Sequence, residues 1–402
     1  MPNKSQRQPF VLHTRVVTGN GGGPEKTILN SPRYLQPFGI DSACLFMRPP
    51  NDPGFAALEH KANAAGAEII GVDDTGPLDR NVVKEAIRIC RERNVDVWHA
   101  HDYKSNALGW LVKRFHNMKL VTTAHGWVRF TAKTPLYYWI DRLSMKRYDQ
   151  VVCVSQDLHD RCSGLGIADH KLSLIDNAIV VDDYDTSPPT TAERQRFGFN
   201  DDQIVLGACG RLSEEKGFDI LIRVVSQLVR NGRNVGLVIA GEGHLKEELQ
   251  RQINERNLQD NVRLAGFLKD PRELYRAIDF FVLSSLREGL PNVVLEAMAS
   301  KRTVVTTNCN GIPRLVTNGE NGVVVDCDNE DQLYRGIRNC IEAPERAAEF
   351  AQAGRNTVEK EFNFETRMSK MVAVYRSLGS SLALRIEAKP QPPQHNQEFA
   401  RA

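Results

Sequence analysis

Short apolar runs alternate with longer amphipathic ones thirteen times along the 402 residues, and this pattern leaves the chain little choice but a parallel α/β architecture. Each run is bounded by turn residues and is too short for a buried helix, so it reads as a strand covered on both faces. In the first half the runs are 10–17, 42–47, 68–72, 95–99, 120–124, 150–154 and 172–175. The second half restarts the alternation at 204–209, 235–240, 262–264, 280–284, 303–307 and 322–325. Helical stretches fall between them, such as Arg80–Arg93, Tyr103–Phe115 and Phe218–Arg230, the last with Phe218, Leu221, Ile222, Val225, Leu228 and Val229 on one face.

Between the halves, Asp182-Asp-Tyr-Asp-Thr-Ser-Pro-Pro-Thr-Thr191 has linker composition. The expected organisation is residues 1–181 as one Rossmann-like domain, 182–195 as linker and 196–361 as a second such domain. Residues 362–380 are expected to form a helix crossing back to the first domain, and 381–402, with Lys-Pro-Gln-Pro-Pro-Gln, a disordered tail. Two doubly wound domains of this kind face a cleft, and their ligands bind beyond the carboxyl ends of the strands.

Composition narrows the function classes. A net charge of +2 gives no global basic field, so nucleic acid is not an expected partner. No apolar run approaches the roughly 18 residues a membrane span needs. The start of the chain is polar and does not read as a signal peptide. The eight cysteines are scattered singly with no C-x-x-C pair, which points to free thiols in a reducing, cytoplasmic setting.

Glu288-Gly-Leu-Pro-Asn-Val-Val-Leu-Glu296-Ala follows the run Phe280–Ser284. Pro291 suits the first turn of a helix, whose unpaired N–H groups then face the carboxyl edge of the sheet as an anion site. Two carboxylates beside that cradle, Glu288 in the loop and Glu296 leaning back along the helix, call for hydroxyls as well as phosphates. A nucleotide sugar supplies both. The plain alternative is that each Glu merely offsets the helix dipole, worth about 0.3–1 kcal/mol.

Three glycine turns follow other strands. Gly210-Arg211-Leu-Ser-Glu-Glu-Lys216-Gly217 sets a guanidinium and an ammonium at a strand mouth, both suited to phosphate oxygens unless Glu214 and Glu215 neutralise them. Gly241-Glu-Gly243 leaves room for a ring or phosphate, or is an ordinary turn. Thr18-Gly-Asn-Gly-Gly22-Gly23-Pro24 lets backbone approach a ligand, but its spacing fails G-x-G-x-x-G, which disfavours a dinucleotide enzyme. His99, His101 and His125 end adjacent strands. No carboxylate or cysteine completes a metal set around them, so hydrogen bonding is the expected role and His125, before a glycine, the stronger functional candidate. The two D-x-D triplets, Asp183–Asp185 and Asp326–Asp328, lie in the linker and at a late strand end.

These stretches together resemble glycosyltransferase family 4, retaining transferases of the GT-B fold, over roughly residues 9–380. The resemblance implies that Arg211 and Lys216 hold the donor diphosphate and that the loop Gly289, Leu290, Pro291 and Asn292, through the N–H groups around it, serves sugar and phosphate. It further implies that Glu296 binds the ribose, Glu288 the transferred sugar and His125 the sugar or its phosphate, while Gly22, Gly23, Gly241 and Gly243 line the donor site. No metal or cofactor is expected; the nucleotide diphosphate sugar is substrate. The expected function is retaining transfer to an acceptor hydroxyl in cell-surface polysaccharide or glycolipid synthesis. An epimerase of the same fold, a glycosidase using Glu288 and Glu296, and a non-catalytic sugar- or nucleotide-binding protein are the alternatives. Asp176-Asn177-Ala178 and Arg314 depart from the family pattern, where Asn-Gly and Glu are frequent, and Arg314 leaves donor choice open.

The stretch Lys133–Tyr148 mixes aromatic and basic residues on a helix, with Leu136, Ile140 and Leu143 as the expected sheet-facing side. Tyr137, Tyr138, Trp139, Arg142, Lys146 and Arg147 beside it suit either an ordinary solvated edge or peripheral contact with the inner membrane surface carrying a lipid-linked acceptor.

Overall fold

All thirteen apolar runs form parallel strands in the computed structural model, in which the described residues are 7–19, 21–77, 79–125 and 134–386, with the side chains of 134–138 set aside. Trp127, Lys133 and most of the expected tail (387–402) lie outside that range.

One compact unit holds the chain up to Asn177 and resumes at Glu365. Its strands are β1 (Phe10–Val16), β2 (Asp41–Arg48), β3 (Ile69–Asp73), β4 (Val97–Ala100), β5 (Lys119–Ala124), β6 (Gln150–Cys153) and β7 (Leu172–Leu174). They lie in the order β3-β2-β1-β4-β5-β6-β7. The order reverses between β1 and β4, where the register sets Leu12 beside Trp98 and His13 beside His99. Such a switch point leaves a crevice at the carboxyl edge of the sheet. Trp98 is fully buried with Leu12, Leu45 and Leu120 in the core. The helix Phe364–Ser377, from its second residue on, belongs to this unit and is tied to it by the Arg367 guanidinium, which donates to the carbonyls of Ile175 and Asp176.

The other unit, Ala178–Phe364, carries β8 (Ile204–Cys209), β9 (Val235–Ala240), β10 (Val262–Gly266), β11 (Phe280–Leu283), β12 (Thr303–Thr307) and β13 (Val323–Val325). Their order is β10-β9-β8-β11-β12-β13, so the switch falls between β8 and β11. The helix Phe218–Arg230 packs on this sheet through the expected residues, with Ile220 and Val224 buried as well and Val229 only half-buried. The stretch 182–195 is not free linker. It carries a helical turn at Val181–Asp183 and a short helix at Thr191–Gln195. Tyr184 is buried and Arg194 donates to Asp279 Oδ1 at 2.7 Å, so charge pairing and an aromatic anchor fasten a polar, proline-rich segment. All eight cysteines are free, six of them buried.

Candidate functional site

In the second unit the loops after β8 and β11 flank the switch point and are fastened to one another. Lys216 Nζ lies 2.5 Å from Glu288 Oε1, and Ser285 Oγ donates to the same oxygen at 2.7 Å. The Leu286 amide donates to Glu215 O, and Ser284 Oγ to Lys216 O. Gly217 makes this approach feasible, since it sits at φ +60° and a Cβ there would lie 2.3 Å from Ser284 O. The pair is neither dry nor solvated, with side chains 18% and 12% exposed, so both charges stay reachable while their positions are set.

Neutralisation of the cations by Glu214 and Glu215 does not occur in the expected form. Glu214 pairs with His244 instead, which holds its carboxyl below the usual carboxylate range. Arg211 is exposed and makes no ion pair among the described residues. The helix of this corner is Asn292–Ala299, with Pro291 as its cap residue rather than its first turn. It is buried on nearly every side, from Val294 to Ala299, whereas Val293 is half-buried. Leu290 and Pro291 are buried, Gly289 is exposed, and the buried Asn292 Oδ1 has no hydrogen-bond partner among the described residues.

Glu296 is 5% exposed, and its Oε2 accepts from Tyr275 Oη at 2.9 Å. Burial, and then the Glu296 carboxylate, pushes the phenols of Tyr275 and Tyr184 far up. Two tyrosines thus frame this carboxylate. The Gly241-Glu-Gly243 turn packs backbone on backbone. A Cβ on Gly241 would lie 1.9 Å from Gly210 O, and one on Gly243 would lie 2.2 Å from Leu212 O. The Cβ side of each glycine is therefore taken up by the Gly210–Leu212 backbone, and the close contact between the two loops requires both glycines. Arg314, the departure from the family pattern, pairs with Glu361 at 3.2 Å and covers the Phe362 ring.

In the first unit the glycine loop after β1 is less open than expected. The Gly22 amide donates to Glu25 Oε2 at 2.6 Å, and the Gly19 amide to Asp52 Oδ2 at 2.7 Å. Glu25 is itself buried and held by Arg15 Nε at 2.5 Å. The loop's amides are thus partly occupied by the protein's own carboxylates, although Gly22 and Gly23 remain exposed.

Beside this loop the histidines gather. His13 Nδ1 lies 3.2 Å from His101 Nε2, and His101 Nδ1 lies 3.2 Å from His125 Nε2. His99 is bound separately, to Tyr375 Oη at 2.7 Å and Thr123 Oγ1 at 2.8 Å. Burial drives the His13 pKa down to about 3. It also drives His99, His101 and His125 well below the usual histidine value, assisted by neighbouring rings and by the cations Arg15 and Arg367. All four rings are therefore neutral at physiological pH.

The helix Thr134–Met145 turns a different face inward from the one expected. Asp141, Ser144, Met145 and Tyr148 are buried, whereas Leu143 is 42% and Trp139 60% exposed and Ile140 half-buried. Polar residues tolerate this burial because each finds a partner. Asn106 Nδ2 donates to Asp141 Oδ1 at 2.6 Å, Ser144 Oγ to Ile140 O at 2.8 Å and Tyr148 Oη to Asn106 O at 2.9 Å. An exposed face of Trp139, Leu143, Arg142, Lys146 and Arg147 results.

Several site residues escaped the sequence reading. Ser285, Tyr275, Tyr184 and Glu25 carried no motif of their own. His13 carried one signal, a histidine that interrupts the apolar run from Phe10, but only the β1–β4 register sets it beside His99.

Known proteins match this chain along most of its length. Residues 189–357 match the family model described as Glycosyl transferases group 1, and residues 21–183 the one described as Glycosyltransferase Family 4. The alpha-D-kanosaminyltransferase of Streptomyces kanamyceticus is 25% identical over 317 residues, 74% of this chain and 81% of that protein. A lipopolysaccharide core biosynthesis glycosyltransferase, LpsE of Rhizobium meliloti, is 30% identical over 225 residues, 56% of this chain and 63% of its own. Among solved structures, Anabaena HepE in complex with UDP and glucose shares the fold, with a TM-score of 0.77 at 21% identity over 92% of this chain and all of that one.

Proposed function

We propose that this chain, which belongs to glycosyltransferase family 4, moves a sugar from a nucleoside diphosphate donor to an acceptor hydroxyl with retention of anomeric configuration. The observation that carries this reading is the Lys216–Glu288 pair, set at the β8–β11 switch point of a chain whose relatives are glycosyltransferases. In it, Lys216 and Arg211 receive the charge that builds on the leaving diphosphate, with the backbone N–H groups of Gly289, Leu290 and Asn292 beside them. Glu288 takes hydroxyls of the transferred sugar, Glu296 those of the ribose, and His125 serves the sugar or its phosphate. The reading assigns no metal and no cofactor.

A thermal-shift screen of nucleoside diphosphates and their sugars, followed by NMR of the product anomer, tests it. One nucleotide series is expected to raise the melting temperature, since ligand at 100 times its Kd stabilises by about 2.7 kcal/mol. Transfer with the anomeric configuration inverted would overturn the mechanism. Release of an altered sugar without acceptor would identify an epimerase. No response to any nucleotide would overturn the donor.

For the acceptor, the reading extends to a lipid-linked acceptor on an anionic membrane, in cell-surface polysaccharide or glycolipid synthesis. Its support is the exposed face of Trp139 and Leu143 with Arg142, Lys146 and Arg147. No described helix is long and apolar enough to span a bilayer, so the contact is peripheral in this reading. Basic residues near such a surface are worth about 1 kcal/mol each, and binding is expected to fall steeply with salt. Co-sedimentation with anionic vesicles at low and high salt checks it, with R142E/K146E as the variant expected to stay in solution. Failure of the wild type to sediment at low salt would leave a soluble acceptor.

A further inference from the structure

Three imidazoles in the first unit form one unbroken chain, from His13 on β1 through His101 beyond β4 to His125 beyond β5, with 3.2 Å between nitrogens at each step. A contact of that length between two ring nitrogens holds one proton: two bare lone pairs or two N–H groups facing each other would repel. When every ring carries a single proton, the two contacts permit two arrangements. All three protons sit on Nδ1, or all three sit on Nε2. A mixture breaks one of the contacts.

The inner end selects between them. His13 is 1% exposed, and its Nε2 is buried with no hydrogen-bond partner among the described residues. Protons on Nε2 throughout would strand a buried N–H there. Protons on Nδ1 leave only a bare acceptor, the milder of the two defects, because orphaned N–H groups are the rarer in folded proteins. We infer that His13, His101 and His125 form a neutral relay, protonated on Nδ1 in every ring, through which His13 fixes the tautomer of His125. This is the less favoured tautomer of free histidine in water. His13 is thus a positioning residue that touches no ligand. His125 gains an Nδ1–H donor on the nitrogen not engaged with His101. Resting on the proposed function, His125 then meets an oxygen of the transferred sugar as a hydrogen-bond donor and does not act as a base.

A metal centre is the competing use of these rings, since His13, His99 and His101 bring one ligand atom each within 4.8 Å of one another. The geometry disfavours it. His99 and His101 are stacked at 4.4 Å and 25°, so their in-plane lone pairs run side by side and do not converge. Both His99 nitrogens are engaged by Tyr375 and Thr123, and the cations Arg15 and Arg367 already act on these rings.

Long-range proton–nitrogen NMR on the whole protein labelled with 15N-histidine tests the relay without substrate. The expected result is protonated Nδ1 and bare Nε2 in His13, His101 and His125. A proton on Nε2 of any of the three overturns it, as does tight zinc uptake that His13→Leu abolishes. In folded His13→Leu, His125 is expected to drift toward the Nε2–H form. Its kcat should fall about tenfold, the effect of losing one ordinary hydrogen bond, with donor KM unchanged. His13→Asn, whose amide N–H stands near the Nδ1 position, should restore both. An unchanged His125 tautomer in His13→Leu overturns the relay, and the wild-type pattern alone decides it if that variant does not fold. Loss of the donor assignment with the tautomers intact would count against the proposed function alone.

Discussion

Replacing Lys216 with alanine is expected to lower sugar transfer more than about a hundredfold, because removing one donor aimed at developing transition-state charge costs about 2.7–4 kcal/mol. The ammonium has three donors, and in the free protein one of them is committed to Glu288 Oε1 at 2.5 Å. It can therefore keep the carboxylate in place while another N–H meets phosphate. Arg211→Ala should produce a loss of the same order, since the exposed guanidinium has no ion-pair partner among the described residues to divert it. The lysine variant needs one control. Without Lys216, Glu288 retains Ser285 as its neighbour but loses its counter-charge. Stranding one member of a fully buried pair costs about 3–5 kcal/mol, and less here because both side chains are partly exposed. A melting curve and circular dichroism for each variant separate a misfolded corner from a disarmed one. Near-normal transfer in both folded variants would remove these cations from the chemistry.

The architecture was legible because a parallel sheet buries both faces of its inner strands, so apolar runs such as Val235–Ala240 and Thr303–Thr307 announce themselves without any partner. Local helices were legible where one face is apolar, as at Phe218–Arg230. The helix Thr134–Met145 was not, because its buried face carries Asp141 and Ser144, whose partners Asn106 and the Ile140 carbonyl make burial tolerable. Hydropathy alone reads such residues outward. Motif and strand position brought Lys216, Arg211 and Glu288 into one account. The Lys216–Glu288 pairing itself spans 72 residues and depends on the sheet order placing β8 beside β11. The histidine relay needed more still. His13 and His101 are 88 residues apart, and only the β1–β4 register brings them within hydrogen-bond reach. At the Gly241–Gly243 turn the sequence shows only that side chains are missing; the structure adds that the Cβ side of each glycine lies against the backbone of Gly210 and Leu212.

Glu296→Gln and Glu288→Gln are expected to fail in different ways, and the difference identifies what each carboxylate does. Glu296 is buried and framed by Tyr275 and Tyr184, with its Oε2 accepting from Tyr275 Oη. If it accepts ribose hydroxyls, the amide replaces charged acceptors with one neutral one. Hydrogen bonds to charged groups contribute about 1.5–3 kcal/mol. Calorimetry with the free nucleoside diphosphate should then show affinity reduced by about ten- to a hundredfold, each tenfold step being about 1.4 kcal/mol. Glu288 sits instead in the loop with Lys216, where its amide variant frees the ammonium for phosphate. Affinity for the free diphosphate should hold or rise in Glu288→Gln, while affinity for the intact nucleotide sugar falls and transfer drops with it. The two ligands measured on the two variants form a crossed design. A uniform loss in both variants for both ligands would point to a collapsed corner and not to two roles. Normal binding of both ligands by both variants would reduce the carboxylates to charges placed near a helix start, where about 0.3–1 kcal/mol of dipole compensation is all they supply.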